Sequence, residues 1–117
     1  MLKGFEDITL DITPDEIILA KWIAKGLALR VGKDRAISNK EIREIMEEKH
    51  DEKISDVRMR RMIQYIRLHN LVPQLCASSK GYYRANPLTT EWEDWKESMR
   101  QRIRQMQWTL AAAEQND

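Results

Sequence analysis

The sequence predicts a mainly α protein of the α+β class: three short amphipathic helices, a small two-stranded hairpin and a long C-terminal helix. Three observations predict it. Apolar residues recur at helical spacing in four separate stretches, each opened by a serine or threonine suited to capping. Two short β-capable runs flank the Ser78-Ser79-Lys80-Gly81 turn. Beyond Asn86-Pro87, an apolar stripe persists for about 24 residues, roughly 36 Å of helix.

Taken in order, residues 1–12 alternate at Ile8, Leu10 and Ile12, and read as a short strand or an extended arm anchored by Phe5. Thr13-Pro14-Asp15-Glu16 is a capping box with proline at the first helical position. The helix it opens carries Ile17, Ala20, Ile23, Ala24 and Leu27 and is expected to end near Gly32. Gly26 weakens its middle by roughly 1 kcal/mol, which a close helix contact would justify. Arg35-Ala36-Ile37 is a candidate minimal strand. Ser38-Asn39-Lys40-Glu41 repeats the capping box, and Ile42, Ile45 and Met46 form the inner face of the second helix.

The third helix spans residues 55–69. Ser55 is its N-cap, Asp56 complements the dipole in the first turn, and Asn70 can take the left-handed conformation that ends a helix. At 100° per residue Met59, Met62, Ile63 and Ile66 fall on one core-facing stripe. The opposite face holds Val57, Arg60, Arg61, Gln64 and Leu68, flanked by Arg58, Tyr65 and Arg67. His69 is expected to cap the helix's last carbonyls. In the hairpin that follows, Pro73 cannot donate to a ladder and belongs at an edge or bulge. Thr90-Glu91-Trp92-Glu93 caps the last helix, whose stripe is Trp92, Trp95, Met99, Ile103, Met106 and Leu110. That helix is longer than a small domain needs, so part of its stripe is expected to meet a second chain. The divisions are an arm at 1–12, a domain at 13–86 and an oligomerisation or packing helix at 87–117.

The net charge of +1 hides an asymmetry. Residues 54–84 carry Arg58, Arg60, Arg61, Arg67, Lys80 and Arg84 against the single acid Asp56, a local charge of +5, which leaves −4 on the rest. Such a separation favours an anionic partner at one surface.

Capped helix, minimal strand, capped helix, turn, arginine-bearing helix and hairpin together resemble a winged helix-turn-helix domain. The run Val72-Pro73-Gln74-Leu75-Cys76-Ala77-Ser78-Ser79-Lys80-Gly81-Tyr82-Tyr83, followed by a long Arg-bearing helix, is similar to small winged-helix proteins encoded by phages and prophages. The likeness covers about 75 of the 117 residues. It implies that the 55–69 helix enters the major groove of duplex DNA. Arg58, Arg60 and Arg61 would then contact guanine or clamp phosphate, Gln64 would read adenine, and Tyr65 would bond a phosphate. Lys80 at the wing tip and Arg84 on its stem would touch backbone or minor groove. Asn39 and Lys40 suit a phosphate set against free backbone N–H groups. All of this requires one continuous cationic ridge of guanidinium groups beside the lysine-tipped hairpin.

Duplex DNA is therefore the expected partner, bound by a homodimer or higher homo-oligomer in the cytoplasm of a bacterial or phage-infected cell. The alternatives are a protein–protein adaptor on the same scaffold, using Val57 and Leu68, and a DNA-packaging component. No apolar run reaches the ~20 residues that cross a membrane, and the N-terminus lacks a signal-peptide pattern. The single Cys76 excludes an internal disulfide. His50 and His69 lack partners at ligand spacing, so no metal is expected. No phosphate loop or nucleophile motif occurs, so neither enzymatic activity nor a cofactor is expected.

Overall fold

Four helices form where the capping chemistry and apolar spacing coincide. A computed structural model describes residues 11–117; the Phe5, Ile8 and Leu10 expectations lie outside them. The helices are α1 (Pro14–Leu27), α2 (Asn39–His50), α3 (Asp56–Leu68) and α4 (Glu91–Glu114), with strands β1 (Leu75–Ser78) and β2 (Gly81–Arg84) between the last two. Both capping boxes close: Thr13 Oγ1 accepts from the Glu16 N–H while Glu16 accepts from the Thr13 N–H, and Ser38 and Glu41 do the same. Ser55 Oγ accepts from the Arg58 N–H, and Asn70 ends α3 at φ 51°. On α4 the capping hydroxyl sits one residue earlier than expected. Thr89 Oγ1 accepts from the Glu91 N–H, while the Thr90 hydroxyl donates to Asp94.

α3 is the central element, packed against both α1 and α2. Met59, Met62, Ile63 and Ile66 all enter the core, meeting Leu19, Ala20, Ile23, Ala24 and Leu27 of α1 and Ile42 and Met46 of α2. Ile12 of the arm packs against the same cluster. Leu68 is a correction: expected outward, it is 3% exposed, because the chain turns back over the end of α3 through Asn70 and Leu71. It offers nothing to a partner.

β1 and β2 pair antiparallel with Ser78 opposite Gly81, so the turn is only Ser79-Lys80. Pro73 lies in the turn before β1, outside the ladder, and Gln74 next to it adopts φ 54°. The segment expected as a minimal strand is a 3-10 turn (Lys33–Arg35) followed by a single bridge, in which Ile37 and Tyr82 exchange both backbone bonds. Val31 bridges Arg84 on the same edge of β2. A second apolar cluster covers the other side of the hairpin: Cys76, Tyr83 and Ala85 are buried there, with Trp92 and Trp95 of α4 packed on them.

α1 stops at Leu27 rather than near Gly32. Gly26 serves no close helix contact, since a Cβ built there meets nothing within 4 Å. Gly26→Ala is therefore expected to raise stability by about 0.5–1 kcal/mol, read as a higher urea midpoint at unchanged slope.

Candidate nucleic-acid interface

The arginines of α3 were expected to stand free, and this is the main correction. Arg58 Nε lies 3.2 Å from Glu16 Oε2, whose residue is 3% exposed. Arg60 Nη2 is 3.0 Å from Asp56 Oδ2, one turn back on the same helix. Arg61 Nη1 is 3.7 Å from Asp11 Oδ2 and donates to the Asp11 carbonyl at 3.4 Å. Each guanidinium has a carboxylate of the same chain, so the continuous cationic ridge is not built.

The three pairs differ in kind. Arg60 and Asp56 are 71% and 43% exposed, and the Asp11 side chain is 94% exposed. Exposed pairs of this sort are worth little and exchange readily with another anion. Arg58 instead serves a buried carboxylate and is a packing residue between α1 and α3. Burial alone would raise the Glu16 pKa. The Thr13 N–H, the Arg58 guanidinium and the Thr13 hydroxyl together outweigh it and hold the carboxyl below its ordinary value near 4.5. Because this pKa is lower in the folded chain than in the unfolded one, its stabilising effect is complete above about 4.5 and is lost as the pH falls through the folded value. Arg58→Ala is expected to cost about 1–2 kcal/mol at pH 7 by removing a partner of a buried acid. Urea unfolding at pH 7 and pH 3 should show that deficit shrinking in acid.

A second group comes together at the hairpin tip. Gly81, at φ 129°, lies so near the residues before α2 that an added Cβ would be 2.1 Å from the Ile37 carbonyl oxygen and 2.6 Å from the Ser38 nitrogen. The tip residue Lys80 thus shares a corner with the start of α2, where Asn39 and Lys40 sit. Lys40 and Lys80 are both exposed. Among the described residues neither has a carboxylate within 4.0 Å. Asn39 points inward instead: its Oδ1 accepts from Arg43 Nε at 2.7 Å, and its Nδ2 is buried without a partner.

The remaining expected contacts divide. Gln64 is exposed on the outer face of α3, with Val57 at 57% exposure. Tyr65 is half-buried against the main core, and its ring meets that of His69 at 4.2 Å between centroids, tilted by 32°. His69 reaches the Tyr65 carbonyl through its backbone N–H. Arg84 is at the hairpin's base, not its tip; its backbone is locked to Arg30 and Gly32, and it pairs with buried Leu75. Arg67, counted in the basic stretch, is withdrawn from the surface: it donates to the Leu75 carbonyl and stacks 4.6 Å from the Trp95 ring centre. Its burial lowers its pKa, with the cationic form favoured by Cys76 and Tyr82.

The C-terminal stripe is split. Trp92 and Trp95, stacked at 5.4 Å, cover Cys76 and Tyr83 of their own chain, so they do not form a free oligomerisation face. Met99 is half-buried, whereas Ile103, Met106 and Leu110 are 47%, 64% and 59% exposed. Among the described residues no group of three His, Cys, Asp or Glu side chains is arranged to hold a metal ion, and no helix is long and apolar enough to cross a membrane. Comparison with protein-family models, with curated proteins and with solved structures finds no match to this chain.

Proposed function

We propose that the chain binds duplex DNA as a winged helix-turn-helix protein, not through the continuous ridge expected of α3, which its own carboxylates interrupt, but through separate cations on α2, α3 and the hairpin, with α3 as the recognition helix, the β1–β2 hairpin as the wing and self-association through α4. The observation that carries this reading is the corner shared by Lys40 and Lys80, two exposed cations with no carboxylate partner among the described residues. The outer face of α3 separately offers Gln64, Arg60 and Arg61. Phosphate oxygens can replace Asp56 and Asp11 on the two arginines at small cost, because both pairs are open to water. Arg58 stays on Glu16 and takes no part. Each subunit then neutralises about four phosphates, a modest number, so two subunits acting together matter for affinity.

A labelled 30-base-pair duplex titrated at several salt concentrations tests this. A log–log slope of about −4 per subunit is expected, reduced by about one in each of Lys40→Ala, Lys80→Ala, Arg60→Ala and Arg61→Ala. Absence of binding at low salt, or a slope indifferent to all four changes, overturns the reading. It would favour a protein adaptor centred on exposed Val57.

A further inference from the structure

α4 outruns its own domain. Every residue from Arg100 to Glu114 is exposed, so about four turns of helix stand in water with an uncovered Ile103, Met106 and Leu110 stripe continuous with half-buried Met99. A helical stretch of this length is marginal without tertiary cover. The ion pairs that brace it also stop early: Glu97 holds Arg100 and Arg104, and no acid occurs between Glu97 and Glu114.

We infer that this distal half pairs with the same segment of a second copy, antiparallel, about a two-fold axis close to Met106, which specifies the self-association on which the reading above rests. The charge pattern selects the direction. Arg100, Arg102 and Arg104 lie together in the first half of the segment, and Glu114 lies alone in the last turn. Parallel pairing gathers all six guanidinium groups at one end of the pair and both Glu114 carboxylates at the other. Antiparallel pairing sets Arg100 beside Glu114 of the other copy, twice by symmetry. In the same register Ile103 falls opposite Leu110, and the small Ala111-Ala112-Ala113 run faces the bulkier Met99 end.

This register also fixes a distance. At 1.5 Å per residue the two Trp95 side chains lie about 35 Å apart along the paired helices. Arg67, in the last turn of α3, lies over Trp95, so the two Arg67 groups take the same spacing along the paired helices.

Disulfide trapping tests the pairing, using full-length chains. Wild-type Cys76 is buried and should give no cross-link. Ile103→Cys and Leu110→Cys change exposed positions that the domain does not use. Oxidising the two variants as a mixture should yield a disulfide dimer that is lost when either is oxidised alone. Cross-linking of each variant alone, or none in the mixture, overturns the antiparallel register. Sedimentation equilibrium should show a dimer, dissociated in Ile103→Glu/Leu110→Glu, which keeps a cooperative thermal transition whose midpoint no longer depends on protein concentration; a monomeric wild type overturns self-association itself. Loss of duplex binding with intact 103–110 trapping would sink the DNA reading and leave the helix pair standing.

Discussion

Gly81→Ala is expected to cost about 4 kcal/mol, seen as a collapse of the urea midpoint or as failure to fold. Two terms add. The φ of 129° belongs to a region that side chains rarely adopt, a strain of about 1–3 kcal/mol. The new Cβ would also press on backbone, 2.1 Å from the Ile37 oxygen and 2.3 Å from its carbonyl carbon. Backbone cannot swing aside as a flexible side chain can, and such overpacking costs another 1–3 kcal/mol or so. Relief would stretch the two bonds between Ile37 and Tyr82, at 2.9 and 2.8 Å, which fasten the hairpin to the α2 entrance. Full retention of stability in Gly81→Ala would mean that this close approach is absent in solution. Gly32→Ala meets only the Asp34 side chain at 2.9 Å and should be milder despite its φ of 100°.

Arg67→Ala should cost about 3 kcal/mol and loosen α4. The guanidinium joins three elements: it belongs to α3, donates to the β1 carbonyl of Leu75 and lies over Trp95 of α4. A charged hydrogen bond and a largely desolvated cation–π contact are each worth about 2 kcal/mol, and truncation leaves a buried carbonyl unpaired. Arg67→Lys should recover only part of the loss, since an ammonium cannot both stack flat and reach sideways. Hydrogen exchange provides the readout. Amides early in α4 should exchange faster in Arg67→Ala, while those of Met59 and Met62 in the core keep their protection. Unchanged exchange in α4 would show that Trp95 docks without Arg67.

The candidate surface illustrates how a correct helix can carry a wrong inference. The arginine face of α3 follows from periodicity, and Arg60 and Gln64 do lie on it. The partners that neutralise two of the arginines do not follow, because Glu16 is 42 residues from Arg58 and Asp11 is 50 from Arg61. Glu16 was legible as a capping residue, yet its second role needs α1 to cross α3. Leu68 and Arg67 fail for a related reason. A helical wheel assigns them to the outer face or its flank, but the returning chain and α4 cover the end of the helix. Lys80 and Lys40 were both legible as exposed cations; that they share a corner depends on the approach of Gly81 to Ile37.

The amino-acid order by itself determined the features whose causes span a few residues. These are the caps at Thr13, Ser38 and Ser55, the left-handed end at Asn70, the core stripe of α3 and the two-residue turn's neighbourhood. Each is set by a hydrogen bond or a side-chain spacing within one or two turns of chain. Only the tertiary structure decided which charges remain open to a partner, how far α4 is covered and where the hairpin tip rests. Those outcomes depend on groups tens of residues apart, and an ion pair or a stacked ring exists only once folding has brought both members within a few ångströms.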